Sequence, residues 1–207
     1  MMHPAATLFF DVCVQRDLWP GGVWPLLGTD HARNLVRLFR LAEEFSVRQG
    51  GIVCRHGVGG TSAPSAFPLH CGAFDAGEER ADGCRPTLPL QVWRSNPTDA
   101  SCLERDCATY VDSGCHLAPD DGPERERAFR HVTAGVRDAI VFGAGIEYGI
   151  DRAVDALLRH RIRTHVVLDA MGAADEILAQ TIVAGWKRRG VDGVTVDVVA
   201  RLLSAAG

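Results

Sequence analysis

Apolar residues fall in short runs separated by amphipathic stretches, and the two kinds of segment alternate along most of the chain. Residues 7–14 (TLFFDVCV) form a run rich in β-branched and aromatic side chains, which predicts a buried strand. A loop with Pro20, Gly21, Gly22 and Pro25 follows. Asp30 then offers a helix cap, and Leu35, Leu38, Phe39, Ala42 and Phe45 recur at helical spacing. Gly50 and Gly51 predict the end of that helix, and Ile52-Val53-Cys54 a second strand. From 55 to 89 the chain is rich in glycine, proline and small residues, with little periodicity. A structureless stretch of that length in a compact domain usually serves a function. Residues 90–93 predict a short strand, and 95–123 are polar, cysteine-bearing and irregular.

Regularity then returns, with helices predicted over 124–136, 148–161 and 175–189 and strands over 139–142, 164–168 and 194–196. Strands without polar alternation, each followed by a helix, predict an α/β fold. This is a three-layer α-β-α sandwich with a mainly parallel, Rossmann-like central sheet. No internal repeat is visible, and 1–207 is expected to form a single domain. In such sheets the working groups lie at the carboxyl ends of the strands. Those ends fall near Cys13, Cys54, the 143–149 turn and Asp169.

Composition narrows the classes. Hydrophobic residues make up 46% and charged residues 23%, the balance of a globular chain, and the net charge of −4 gives no basis for nucleic acid as a partner. No apolar window approaches the roughly 20 residues of a membrane helix, and the 5–10 stretch is too short for a secretory core. The seven cysteines (Cys13, Cys54, Cys71, Cys84, Cys102, Cys107 and Cys115) therefore read as reduced thiols of a cytoplasmic protein. The group Cys102, Cys107, Cys115 and His116 matches no standard zinc spacing and reads as free thiols in a loop. Lys187 is the only lysine.

Four short segments carry a resemblance. Phe9-Phe10-Asp11-Val12-Cys13-Val14-Gln15-Arg16-Asp17-Leu18, with Gly21-Gly22 after it, resembles the first strand of the isochorismatase-like (cysteine hydrolase, nicotinamidase-related) superfamily. Pro68-Leu69-His70-Cys71 resembles the family's Pro-x-His-Cys motif without the Gly-Thr that usually follows. Cys54-Arg55-His56 stands where metal-binding members carry Asp-x-His. Val141 to Ile150 (VFGAGIEYGI) resembles the turn that presents the nucleophilic cysteine, and Gly149 takes the cysteine's place.

The resemblance implies a hydrolase fold whose Asp, Lys and Cys act together on an amide carbonyl. Such a site needs a nucleophile beside a base and donors aimed at the developing oxyanion. In this sequence Cys13 falls at the Asp position, Arg105 in the Lys neighbourhood and Gly149 at the Cys position. Arginine cannot give up its proton or copy a compact ammonium. Gln15, Asp17, Gly145, Ile146, Glu147 and Tyr148 would line the pocket by the same resemblance, though Glu147 equally suits the first turn of a helix.

Three readings follow. The chain is a catalytically degenerate or repurposed homologue that binds a small molecule or a partner subunit. It is a metal-dependent hydrolase using Cys54, His56 and His70 for one divalent metal, with the thiolate favouring zinc. Or it is a vinyl-ether hydrolase of the isochorismatase type, which needs no thiol, with Asp11 as acid. Asp11 shares a strand face with Cys13 but lies about 6–7 Å farther from the strand's end. The resemblance also implies a homo-oligomer.

Overall fold

The computed structural model describes residues 2–54, 71, 76, 79–86, 90–93, 108–112 and 123–205, with the backbone alone for 90–93, 108–112, 123–125 and 128. In chain order the elements are β1 (Thr7–Val12), α1 (Thr29–Glu44), β2 (Arg48–Val53), β3 (Leu90–Trp93), β4 (Ala108–Asp112), α2 (Pro123–Val132), β5 (Asp138–Ala144), α3 (Asp151–Arg159), β6 (Arg163–Gly172), α4 (Glu176–Arg188), β7 (Asp192–Val194) and α5 (Val196–Ser204). Among the described residues the strands form one sheet in the order β3-β4-β2-β1-β5-β6-β7. Every neighbouring pair is parallel.

β1 is central and all six of its residues are buried. Its alternating side chains show the three layers. Phe9 meets Phe142 of β5 edge to face at 5.8 Å, and Phe142 in turn meets Phe39 of α1 at 5.9 Å. Phe10 points the other way, to Phe129 of α2 at 5.9 Å. Burying each of these rings contributes about 2–3 kcal/mol of hydrophobic stabilisation. α5 joins α1 on its face, and the Arg37–Asp197 pair bridges the two helices at 2.6 Å. α3 lies beside α2, where His160 packs on Phe129. α4 is tied to α3 by the Trp186 indole N–H donating to Asp151 (2.7 Å).

The chain leaves β1 for β2 on one side of it and returns later to β5 on the other, so the order reverses at β1. The carboxyl ends of β1, β2 and β5 therefore meet at a topological switch point, where open α/β sheets form their crevice.

Several boundaries differ from the sequence reading; β6, for one, runs on past Asp169 to Gly172. Gly50 and Gly51 lie inside β2 and do not end α1, which stops at Phe45 and Ser46. A Cβ on Gly51 would fall 1.8 Å from the Asp11 carbonyl oxygen, so this glycine permits close strand pairing. β4 lies within the segment read as irregular. The last strand is β7, ahead of the predicted 194–196, and the chain ends in α5, which went unread although Val196, Val199 and Leu203 recur at helical spacing and are buried. Helix 148–161 begins instead as a π-helical turn, Ile146–Ile150, after Gly145 at φ +80°. Among the described residues, no helix is long and apolar enough to cross a membrane.

Candidate functional site

The end of β1 is built by its own loop. Cys13 is fully buried, donates its N–H to the Ile52 carbonyl of β2 (2.8 Å), and sits at φ +51°. Its Sγ lies 3.4 Å from Sγ of Cys54, which directly follows β2. Gln15, also fully buried, grips the Cys54 backbone at both ends: its Nε2 donates to the Cys54 carbonyl (2.8 Å) and its Oε1 accepts the Cys54 N–H (2.6 Å). Asp17 accepts the N–H of Cys71 (2.6 Å). The Cys54 thiol is hydrogen-bonded to both Cys13 and Cys71, and burial together with these two thiols pushes its pKa well above the ordinary thiol value. A thiol raised in this way keeps its proton at neutral pH and is a weak nucleophile.

Residues 79–81 return alongside 14–16. Arg16 donates its N–H to the Glu79 carbonyl (2.9 Å) and Ala81 donates to Val14 (3.3 Å). This return places Arg80 against Asp11, with Nη1 2.5 Å from Oδ1 and both side chains buried. Arg80 Nε also donates to the Cys84 carbonyl (3.1 Å), and its guanidinium stacks over the Phe39 ring at 5.3 Å. Arg80 is a site residue that sequence reasoning missed, because it lies in a glycine- and proline-rich stretch with no periodic signal.

Across the switch point, β5 leads through Gly145 into the π turn, which buries Ile146, Gly149 and Ile150. Gly145 donates its N–H to the Gly172 carbonyl at the end of β6 (2.9 Å). Glu147 accepts the N–H of Asp175 at 2.5 Å, tying the turn to the start of α4. Tyr148 packs beside Trp24 (6.4 Å), and its phenol is raised by burial and by the charges of Glu147 and Asp175. A cavity of about 650 Å³ opens between this turn, β6 and α4, with Ile146, Leu168, Met171, Val183, His31 and Lys187 in its walls. Cys13, Gln15 and Cys54 do not line it.

The predicted residues thus divide. Cys13, Gln15, Asp17 and Cys54 converge on one cluster; Gly145 to Gly149 form the facing turn; Asp11 stands behind them in its ion pair. Arg105, His56 and His70, and with them Cys102, Cys107, Cys115 and His116, lie outside the described residues. Among the described residues no group of three His, Cys, Asp or Glu side chains is arranged to hold a metal ion. Cys54 belongs to the predicted metal set, and its thiol is engaged with other thiols, so the described residues alone do not make a zinc centre.

No protein-family model and no curated protein matches the chain. Solved structures do. A nicotinamidase/pyrazinamidase from Acinetobacter baumanii is similar with a TM-score of 0.70 at 15% identity, over 95% of this chain and 99% of that one. An isochorismatase family protein from Desulfovibrio vulgaris gives 0.68 at 17% identity, over 96% and 97%. The pyrazinamidase of Pyrococcus horikoshii, solved in complex with zinc, gives 0.64 at 18%, over 91% and 98%. The fold is that of the isochorismatase-like hydrolases. Within that fold the thiol cluster occupies the carboxyl ends of β1 and β2, and the π turn occupies that of β5.

Proposed function

We propose that this chain is an isochorismatase-like scaffold in which the Asp/Lys/Cys hydrolase chemistry has been lost, and which serves to bind a small molecule. The observation that carries the reading is the surroundings of Cys13. The acid position of the resemblance holds a buried thiol 3.4 Å from a second thiol, and the turn after β5 carries Gly149, with no side chain to attack a carbonyl, at the position of the resemblance's cysteine. Covalent catalysis needs a nucleophile beside a base, and the described part of this site offers neither in that relation. Asp11 is the nearest carboxylate in sequence, and it is engaged by Arg80 in a buried pair. A general acid must carry a proton and reach its substrate, so the vinyl-ether reading draws no support from this geometry.

A metal-dependent reading has one specific point in its favour, the zinc held by the similar pyrazinamidase. Here the corresponding set is Cys54, His56 and His70, and metal analysis of the pure protein before and after Cys54→Ala tests it. We further infer self-association, which the exposed apolar side chains of α4 support: Ile177 is 80% exposed and Leu178 45%.

The proposed loss is tested by incubating the protein, with and without added zinc, with nicotinamide, pyrazinamide, N-carbamoylsarcosine and isochorismate. No turnover above buffer is expected. Turnover that disappears in Cys13→Ala would overturn the proposal.

A further inference from the structure

Four described residues other than glycine have positive φ: Cys13 (+51°), Ser46 (+50°), Cys71 (+47°) and Arg161 (+59°). Two of them are ordinary. Ser46 and Arg161 follow the C-caps of α1 and α3, where Val47 N–H bonds to Ala42 C=O (2.8 Å) and Ile162 N–H to Leu157 C=O (3.0 Å) in the usual left-handed helix ending. Cys13 and Cys71 follow no described helix, yet both hold this costly conformation, and strain of that kind gathers at functional sites.

Both belong to the same cluster. The loop after β1 fixes its three cysteines at alternate positions: residue 13 supplies a thiol, Gln15 clamps the backbone of Cys54, and Asp17 holds the N–H of Cys71. Three separate stretches of chain thereby present three buried thiols, with Cys54 in contact with the other two. Packing of small apolar groups requires no such backbone strain and no such polar clamps. A metal chelate requires donors around a common point, which the described residues do not provide. The feature the described residues do show is two sulfurs 3.4 Å apart, and the chemistry of such a pair is thiol–disulfide conversion.

We propose that Cys13 and Cys54 form a dithiol site that hydrogen peroxide converts to a disulfide. The Cys13 sulfur attacks a peroxide oxygen, the O–O bond breaks, and a sulfenic acid and one water form. The second sulfur then displaces the sulfenic hydroxyl, which leaves as water with the second thiol's proton. The two thiols lose two electrons and two protons, and the peroxide is reduced to two waters. Cys71, the other neighbour of Cys54, takes over pairing when Cys13 is absent. The new bond would join the carboxyl ends of β1 and β2 beside the switch point. This inference goes beyond the loss of hydrolase chemistry and does not depend on it.

The test is peptide mass mapping under non-reducing conditions, after the full chain has been treated with hydrogen peroxide and then alkylated in denaturant. Expected is a linked Cys13–Cys54 peptide, lighter by two hydrogens, that a dithiol reductant reverses. In Cys13→Ser the linkage moves to Cys54–Cys71, and in Cys54→Ser it vanishes. Where a variant does not fold, the map of the unaltered chain decides alone. Recovery of Cys13 and Cys54 as free thiols, or only as sulfinic or sulfonic acids, would overturn the proposal. So would a linkage through Cys84 in their place, or a stoichiometric metal that protects both thiols.

Discussion

Asp11 and Arg80 are the pair on which the β1 end rests at the scale of single residues. Both are buried and 2.5 Å apart, so removing one leaves the other's charge in a poor solvent. Arg80→Ala should destabilise the fold by about 3–5 kcal/mol, measured as a shift in the urea midpoint. Replacing both together, Asp11→Leu with Arg80→Met, should recover most of that loss, because the desolvation cost of the charges goes with them. Cys84 beside this pair gives a second prediction. Burial is the largest influence on its thiol, which is pushed up to about 12 although Arg80 pulls the other way. An unfolded thiol ionises near about 8.5, so the native form binds the proton more tightly. Its contribution is therefore complete below about pH 8.5 and is lost as pH rises toward 12, at about 1.4 kcal/mol per pH unit. Urea titrations from pH 8 to 11 should show this slope, and Cys84→Ala should make it shallower. Cys54 is shifted in the same direction and retains part of the slope in that variant.

Elements depend on a few positions where a side chain cannot fit. A Cβ on Gly51 would lie 1.8 Å from the Asp11 carbonyl oxygen, and one on Gly143, at φ +128°, would lie 2.1 Å from that of Val12. Gly51→Ala should cost about 3 kcal/mol or more in thermal or chemical unfolding, because the paired backbones of β1 and β2 would have to move apart. These same glycines explain where reading the sequence failed. Next to a helix with clear periodicity, Gly50-Gly51 looks like a stop, because close strand approach leaves no local signal. The apolar runs of β1, β5 and β6 and the stripe of α1 were legible, since burial on both faces of a parallel sheet imposes an unbroken hydrophobic pattern. β4 was not, for it lies within a polar, cysteine-bearing stretch. α5 carried its pattern and was overlooked behind β7. Of the candidate site, the resemblance singles out Cys13, Gln15, Asp17 and Cys54, which the structure brings together in one cluster. Arg80 was not legible, because its role arises only when residues 79–81 return beside 14–16.

At the scale of the whole molecule, α4 carries a face with no covering element among the described residues. Ile177 and Leu178 are exposed on it, with Asp175 and Glu176 at its start and Lys187 and Arg188 at its end. Two copies packing α4 antiparallel would place acids opposite bases and cover the apolar residues, an isologous arrangement. Ile177→Asp is expected to shift the mass measured by light scattering toward the monomer; an unchanged oligomer, or a parent chain that is already monomeric, would refute this arrangement. The central claim concerns chemistry. The fold is that of isochorismatase-like hydrolases, and the proposal is that Cys13 and Gly149 stand in place of the acid and the nucleophile that the resemblance implies. It is tested most directly by the turnover of nicotinamide by the purified chain at high enzyme concentration, with zinc supplied. The account predicts a rate equal to buffer, unchanged in Cys13→Ala and Asp11→Asn. A rate above buffer that either substitution abolishes would contradict it.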